Sequence, residues 1–202
     1  MGFLVEPITD SVDYAGRRYR VNSAFDTVLE IQRLYREEEL SDVDKVNQAL
    51  RMLLVRERSM NRLNILERSE LLNEIYKQCV NTRKHPPTGQ KLPCLDFEYD
   101  GDYIFASFML DYGIDLIEQQ GILPWKKFLA LFQGLSEKSK IREVMRIRNM
   151  DVPEYNGKNT KEIQQIQELK SFYALPVRGG GGKQGLDLLF STLEGMAVRT
   201  NG

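Results

Sequence analysis

Residues that carry chemistry are scarce in this sequence. Two cysteines (Cys79, Cys94), one histidine (His85) and one tryptophan (Trp125) are spread over 202 residues. Two cysteines cannot build a disulfide framework, and these lie too far apart for a CxxC redox or zinc pair, so two reduced thiols are expected. A metal site from Cys79, His85 and Cys94 would lack a fourth ligand of fixed spacing, and His85 sits among prolines in a loop. A surplus of charge is missing too. With 28 basic and 29 acidic side chains and a net charge of -1, no global field draws the chain to nucleic acid or to a membrane surface. No segment approaches the roughly 18 consecutive apolar residues of a membrane span, and "MGFLVEPITD" has neither the basic start nor the apolar run of a signal peptide. A cytosolic protein without a cofactor or metal is the expectation.

Three further patterns fall short of a site. "GGGGK", residues 179 to 183, lacks the glycine a phosphate loop needs at position 177, which is Val177, and the hydroxyl residue after the lysine, which is Gln184. It reads as a linker. The acids of "DFEYDGDYIF" (Asp96, Glu98, Asp100, Asp102) do not make a calcium loop, because Phe108 stands near where the bidentate glutamate belongs. They are expected to favour the N-terminus of the following helix. The basic runs "RMLLVRER" (51 to 58) and "KSKIREVMRIRN" (138 to 149) are interleaved with Glu57 and Glu143, so they read as solvated helix faces; a face of Arg142, Arg146 and Arg148 is the alternative, a nucleic-acid-binding regulator. No catalytic constellation emerges, and no enzyme is expected.

Helical periodicity is what the sequence does carry. "SVDYAGRRYRVN" alternates across Ala15-Gly16 and predicts a hairpin over residues 11 to 21. Ser23 is the expected cap of a first helix through Phe25, Val28, Leu29, Gln32 and Leu34, and Ser41 or Asp42 that of a second with Val43, Val46, Ala49, Leu50, Leu53 and Leu54 inward. Leu63, Ile65 and Leu66 seat the next stretch on the core, and "SELLNEIYKQCV" resumes the helix. Pro86, Pro87, Gly89 and Pro93 mark a loop near 81 to 94, a possible subdomain break. A heavily apolar helix then ends at a left-handed cap on Gly113, and a helix entered at Pro124 presents Trp125, Phe128, Leu129 and Phe132 on one face and Lys126 and Lys127 on the other. Ser136 is expected to cap "EKSKIREVMRIRN", and Ile163, Ile166, Leu169 or Lys170, and Tyr173 stripe the last helix of this part. The fold class is mainly α: a helical domain over 1–176, a Gly-rich linker over 177–185, and an apolar C-terminal helix over 186–202.

The order of these segments resembles the gene-product-fifteen family of long-tailed phages that infect Gram-positive bacteria. The resemblance rests on "EPITDSVDYAGRRYRVNSAFDTVLEIQRL", "FMLDYGIDL", "LPWKKFLALFQGLSEKSKIREVMRIRNM" and "KEIQQIQELKSFYALP", and the middle block is similar to tail assembly chaperones of other siphophages. It implies a non-enzymatic chaperone that self-associates, coats the tape-measure protein, helps tail-tube subunits assemble in the host bacterial cytoplasm, and is absent from the finished virion. Its signature falls here on Tyr112, Gly113, Trp125, Phe128, Leu129 and Phe132, with Asp115 and Lys127 as rim contacts. This chain departs from the family in its extension "VRGGGGKQGLDLLFSTLEGMAVRTNG", expected to dock on a neighbouring subunit.

Overall fold

The computed structural model describes residues 8–80 and 94–176, which form two compact units: 8–80 with 119–130, and 94–118 with 131–176. Seven α-helices and one two-stranded sheet lie among the described residues, so the mainly helical reading with an N-terminal hairpin holds. The linker over 177–185 and the segment over 186–202 lie outside them, as does the 81–94 loop up to Cys94.

The first unit opens on the hairpin, β1 (Ser11–Tyr14) antiparallel to β2 (Arg17–Arg20). Ala15 and Gly16 both take positive φ, 48° and 73°, as a two-residue turn needs if its twist is to match that of the strands. The register sets Val12 opposite Tyr19, and both are buried; on the other face Asp13 pairs with Arg18 in solvent. Beyond β2 the chain stays pinned, with Asn22 N–H donating to Leu53 O at 2.7 Å and Val55 N–H to Arg20 O at 3.1 Å.

Helices α1 (Phe25–Arg36), α2 (Asp42–Leu53) and α3 (Ile65–Ile75) follow, the last running into a π-helical turn at Tyr76–Val80. α1 buries Phe25, Val28, Ile31, Leu34 and Tyr35, a 3–4 spacing that gives one apolar stripe. Ser23 does not cap it. The N-cap is Ala24, whose own N–H is held by Asn22 Oδ1, while Ser23 is buried. α2 begins as its sequence indicates, with Ser41 Oγ accepting from Asp44 N–H and two acids at the positive end of the helix. Val43 faces solvent, and its inward place is taken by Lys45, whose Nζ donates to Tyr35 O at the C-terminal end of α1. Met60, in a 3₁₀ turn, seats the connection to α3, while Ile65 and Leu66 are exposed. α3 starts four residues before the "SELLNEIYKQCV" stretch, because Asn64 and Glu67 form a reciprocal capping box.

In the second unit α4 (Gly101–Tyr112) buries Ile104, Ser107 and Phe108 and stops at Gly113, whose φ of 64° is the left-handed cap the sequence indicates. α6 (Lys140–Asn149) buries Ile141, Val144 and Ile147, and α7 (Thr160–Phe172) packs on it without burying any side chain completely. Ser136 is not the cap of α6. It is a turn residue whose N–H and Oγ both bond the Asp111 carboxylate, and the helix begins after Ser139.

Helix α5 (Trp125–Gln133) gives Trp125 to Ala130 to the first unit and Leu131 to Gln133 to the second. Pro124 sits just before it, with its carbonyl accepting from Phe128 N–H, so the missing proline N–H costs no helical bond.

Candidate functional site

The stretch around α5 is built into the first unit by backbone and ring contacts together. Residues 23 to 25 and 123 to 125 run antiparallel, with Trp125 N–H donating to Ser23 O at 2.8 Å and Phe25 N–H to Leu123 O at 2.9 Å. Gly121 N–H donates to Asp26 Oδ1, and Lys126 Nζ donates to Gln78 O at the π-helical turn. These bonds hold three rings in a column. Phe25 stacks on Phe128 at 4.9 Å between centroids and Phe128 on Trp125 at 5.5 Å, with interplanar angles of 12° and 19°. Offset ring pairs add to the stabilisation from burial, and Trp125 and Phe128 are each only 1% exposed. Trp125 is therefore a core residue of its unit. Leu129 is half-buried, and Lys127 is exposed on the opposite side of the helix.

The remaining signature residues serve the second unit. The Tyr112 ring meets Phe108 edge-on at 5.8 Å, and its hydroxyl donates to Leu131 O at 2.9 Å. Gly113 makes the left-handed stop of α4. Asp115 Oδ1 accepts from Ile117 N–H and Glu118 N–H, so its carboxylate forms the turn that follows. Phe132, buried, tilts against Phe97. The structure thus divides the signature between the two units, and Gly113 and Lys127 are its exposed members.

A second cluster went unread in the sequence. Asp100 is fully buried at the start of α4, and Arg148, near the end of α6, meets its carboxylate with two nitrogens at 2.7 Å each. Arg148 also donates to Cys94 O and Tyr173 O, and Lys170 Nζ donates to the carbonyls of Arg148 and Met150. The arginine fork satisfies a buried carboxylate and two backbone carbonyls at once, so the chain before α4, the end of α6 and the end of α7 converge on one cation. Asp100 is consequently more than a charge favouring a helix N-terminus. Beside this cluster Lys140 bonds Tyr173 Oη and Glu143, which raise its pKa in that order, and lies 5.1 Å from the Tyr173 ring centre.

This geometry bears on the arginine face. Arg148 is spent on Asp100, Arg142 donates to Gln133 O, and Arg146 stays exposed, so the three do not present one row of free cations. Among the described residues no three His, Cys, Asp or Glu side chains converge as metal ligands. Cys79 is buried, and burial pushes its thiol up, away from the reactive thiolate form. Among the described residues no helix is long and apolar enough to cross a membrane.

Exposed apolar side chains are the other surface feature. In the second unit Leu110 and Ile117 are 67% and 64% exposed and Phe172 is 77% exposed; in the first, Val55 and Ile122 stand out at 54% and 67%. A family model described as Bacteriophage Gp15 protein matches residues 4–175. No curated protein and no solved structure matches the chain.

Proposed function

We infer the function from one premise: the chain belongs to the Bacteriophage Gp15 protein family. On that premise the protein is a non-enzymatic tail assembly chaperone. It self-associates, binds the tape-measure protein and helps tail-tube subunits polymerise around it in the host bacterial cytoplasm, and it does not remain in the finished virion. The family match over residues 4–175 is the observation that carries this reading. Large apolar side chains left in solvent, Leu110, Ile117 and Phe172 among them, support it, because an apolar client is held by apolar surface. Tyr112, Gly113, Asp115, Trp125, Phe128, Leu129 and Phe132 then act by shaping the two units, and Lys127 is the rim contact.

Co-expression with the tape-measure product, followed by pull-down at low and high salt, tests the reading. Capture that persists at high salt, with the client kept soluble, is the expected result. Capture of nucleic acid that collapses as salt rises, through counterion release at phosphates, would instead favour the regulator that uses the basic face of residues 138–149.

A further inference from the structure

Helix α4 is apolar on both of its sides. The inner side buries Ile104 and Phe108, while Ala106, Met109, Leu110 and Gly113, at i, i+3, i+4 and i+7, are exposed along the outer side. A helix that is apolar all round is ordinarily covered all round, so the outer side reads as a contact surface. It continues onto α7, where Tyr103 meets Tyr173 edge-on at 5.9 Å and Tyr173 meets the exposed Phe172 at 4.9 Å. Charge narrows what can lie there. Residues 94–118 contain seven acids and no Lys, Arg or His. Arg148 is committed to Asp100, and among the described residues no cation pairs with Asp102 or Glu118, the exposed acids that precede and follow the strip along the chain. A second copy meeting this face with its own α4 would set acids against acids, a repulsive match.

We propose that the outer face of α4 seats the client, and that the segment it selects is an amphipathic helix with Lys or Arg at both ends of its apolar row. The identity of the client rests on the tail-assembly reading; the chemistry of the segment rests on α4. From Asp102 to Gly113 the face runs about 17 Å, at about 1.5 Å per residue, so about three turns of partner helix cover it. Apolar side chains at the same 3–4 spacing pack along such a row. The apolar row supplies the affinity and persists in salt, whereas the acids supply orientation and selectivity and are screened by it. Capture is then salt-resistant while the choice of segment depends on charge.

Two measurements on the full chain test it. In co-expression pull-down with the tape-measure product, Leu110→Asp is expected to reduce capture at least tenfold at low and at high salt. Val43→Asp, the same change at an exposed apolar residue of the first unit, should capture like the unaltered chain, and circular dichroism should show both variants folded, since both side chains are in solvent. The second measurement titrates the protein with two synthetic helical peptides that share one apolar row. The peptide flanked by Lys should bind at least tenfold more tightly at low salt than the one flanked by Glu, and Asp102→Lys with Glu118→Lys should erase that preference. Undiminished capture by Leu110→Asp, or equal binding of the two peptides, would overturn the proposal and leave the tail-assembly reading standing. A smaller oligomer with undiminished capture in Leu110→Asp would also overturn it, in favour of a second copy. Failure of the unaltered chain to capture the tape-measure product would remove that reading instead; a Lys-peptide preference abolished by Leu110→Asp would still assign the face, and no preference would overturn it.

Discussion

At the start of α5 the first unit closes on an aromatic ring, the indole of Trp125, stacked 5.5 Å from Phe128 and held at its backbone by Ser23. At the start of α4 the second unit closes on a carboxylate, Asp100, gripped twice by Arg148. Both positions are sealed from water, but they are stabilised by different physics. Ring burial is non-directional and tolerates small shifts, so it favours any arrangement that excludes water. A buried fork between Arg and Asp is satisfied in one geometry only, and a mispaired state leaves a charge stranded. Trp125 thus contributes by how much it buries, the Asp100–Arg148 pair by which groups meet.

The contrast is sharpest in what removal should do. Trp125→Ala should destabilise the protein by about 3–5 kcal/mol in urea denaturation, the cost of a large core cavity, and Trp125→Phe should recover a substantial part of it. A loss under about 1 kcal/mol for Trp125→Ala would mean that the ring column is not part of the first unit's core. Next in size is Arg148→Met, expected to cost about 3 kcal/mol, because it strands Asp100 without a counter-charge; a tenth of the arginine side chain is in solvent, which places the loss at the low end for buried pairs. The companion is the double variant Asp100→Leu with Arg148→Met. It should be less damaging than Arg148→Met alone by about 1 kcal/mol or more, because the stranded charge goes with its partner. A double variant no better than the single one would move the credit from the ion pair to the arginine's bonds with Cys94 O and Tyr173 O.

The same contrast explains what was legible in the sequence. Apolar spacing revealed α1, α2, α4 and the α5 face, since one stripe of a helix must face the core whatever lies opposite. Turn and cap chemistry gave the Ala15-Gly16 turn, the Ser41 cap and the Gly113 stop, because each is decided within a few residues. Ser23 and Ser136 misled for a related reason. A serine before an apolar run is a cap only if its backbone is free to act as one, and here Ser23 is buried against Trp125 while Ser136 is claimed by Asp111. Asp100 and Arg148 are 48 positions apart and follow no period, so nothing local announces them. The Asn64–Glu67 box could have been read, as N-x-x-E just before a helical run is its ordinary signature. For the site, the signature residues were found by resemblance, while their roles as ring column, cap and turn required the fold.

The smallest effect probes the first unit's own polar link. Tyr14 on β1 donates its hydroxyl to Glu70 on α3 at 2.5 Å, tying the hairpin to the helices. Burial, and then the Glu70 carboxylate, push the Tyr14 phenol up to about 12 from an ordinary value near 10. A group whose folded pKa is raised stabilises fully below its unfolded pKa, so this link should be intact up to about pH 10 and lost as the pH rises through about 12. Both groups lie near the surface, where solvent screens the interaction, so the contribution should be no more than about 1 kcal/mol. Glu70→Gln should lower the tyrosine's titration midpoint only part of the way to the ordinary value, since burial, the larger cause, stays in place. The ultraviolet titration difference between the chain and its Tyr14→Phe variant isolates this phenol from the other tyrosines. Should Glu70→Gln instead destabilise the protein as much as Arg148→Met, the first unit would depend on a directional polar contact as heavily as the second, and the distinction between them would fail.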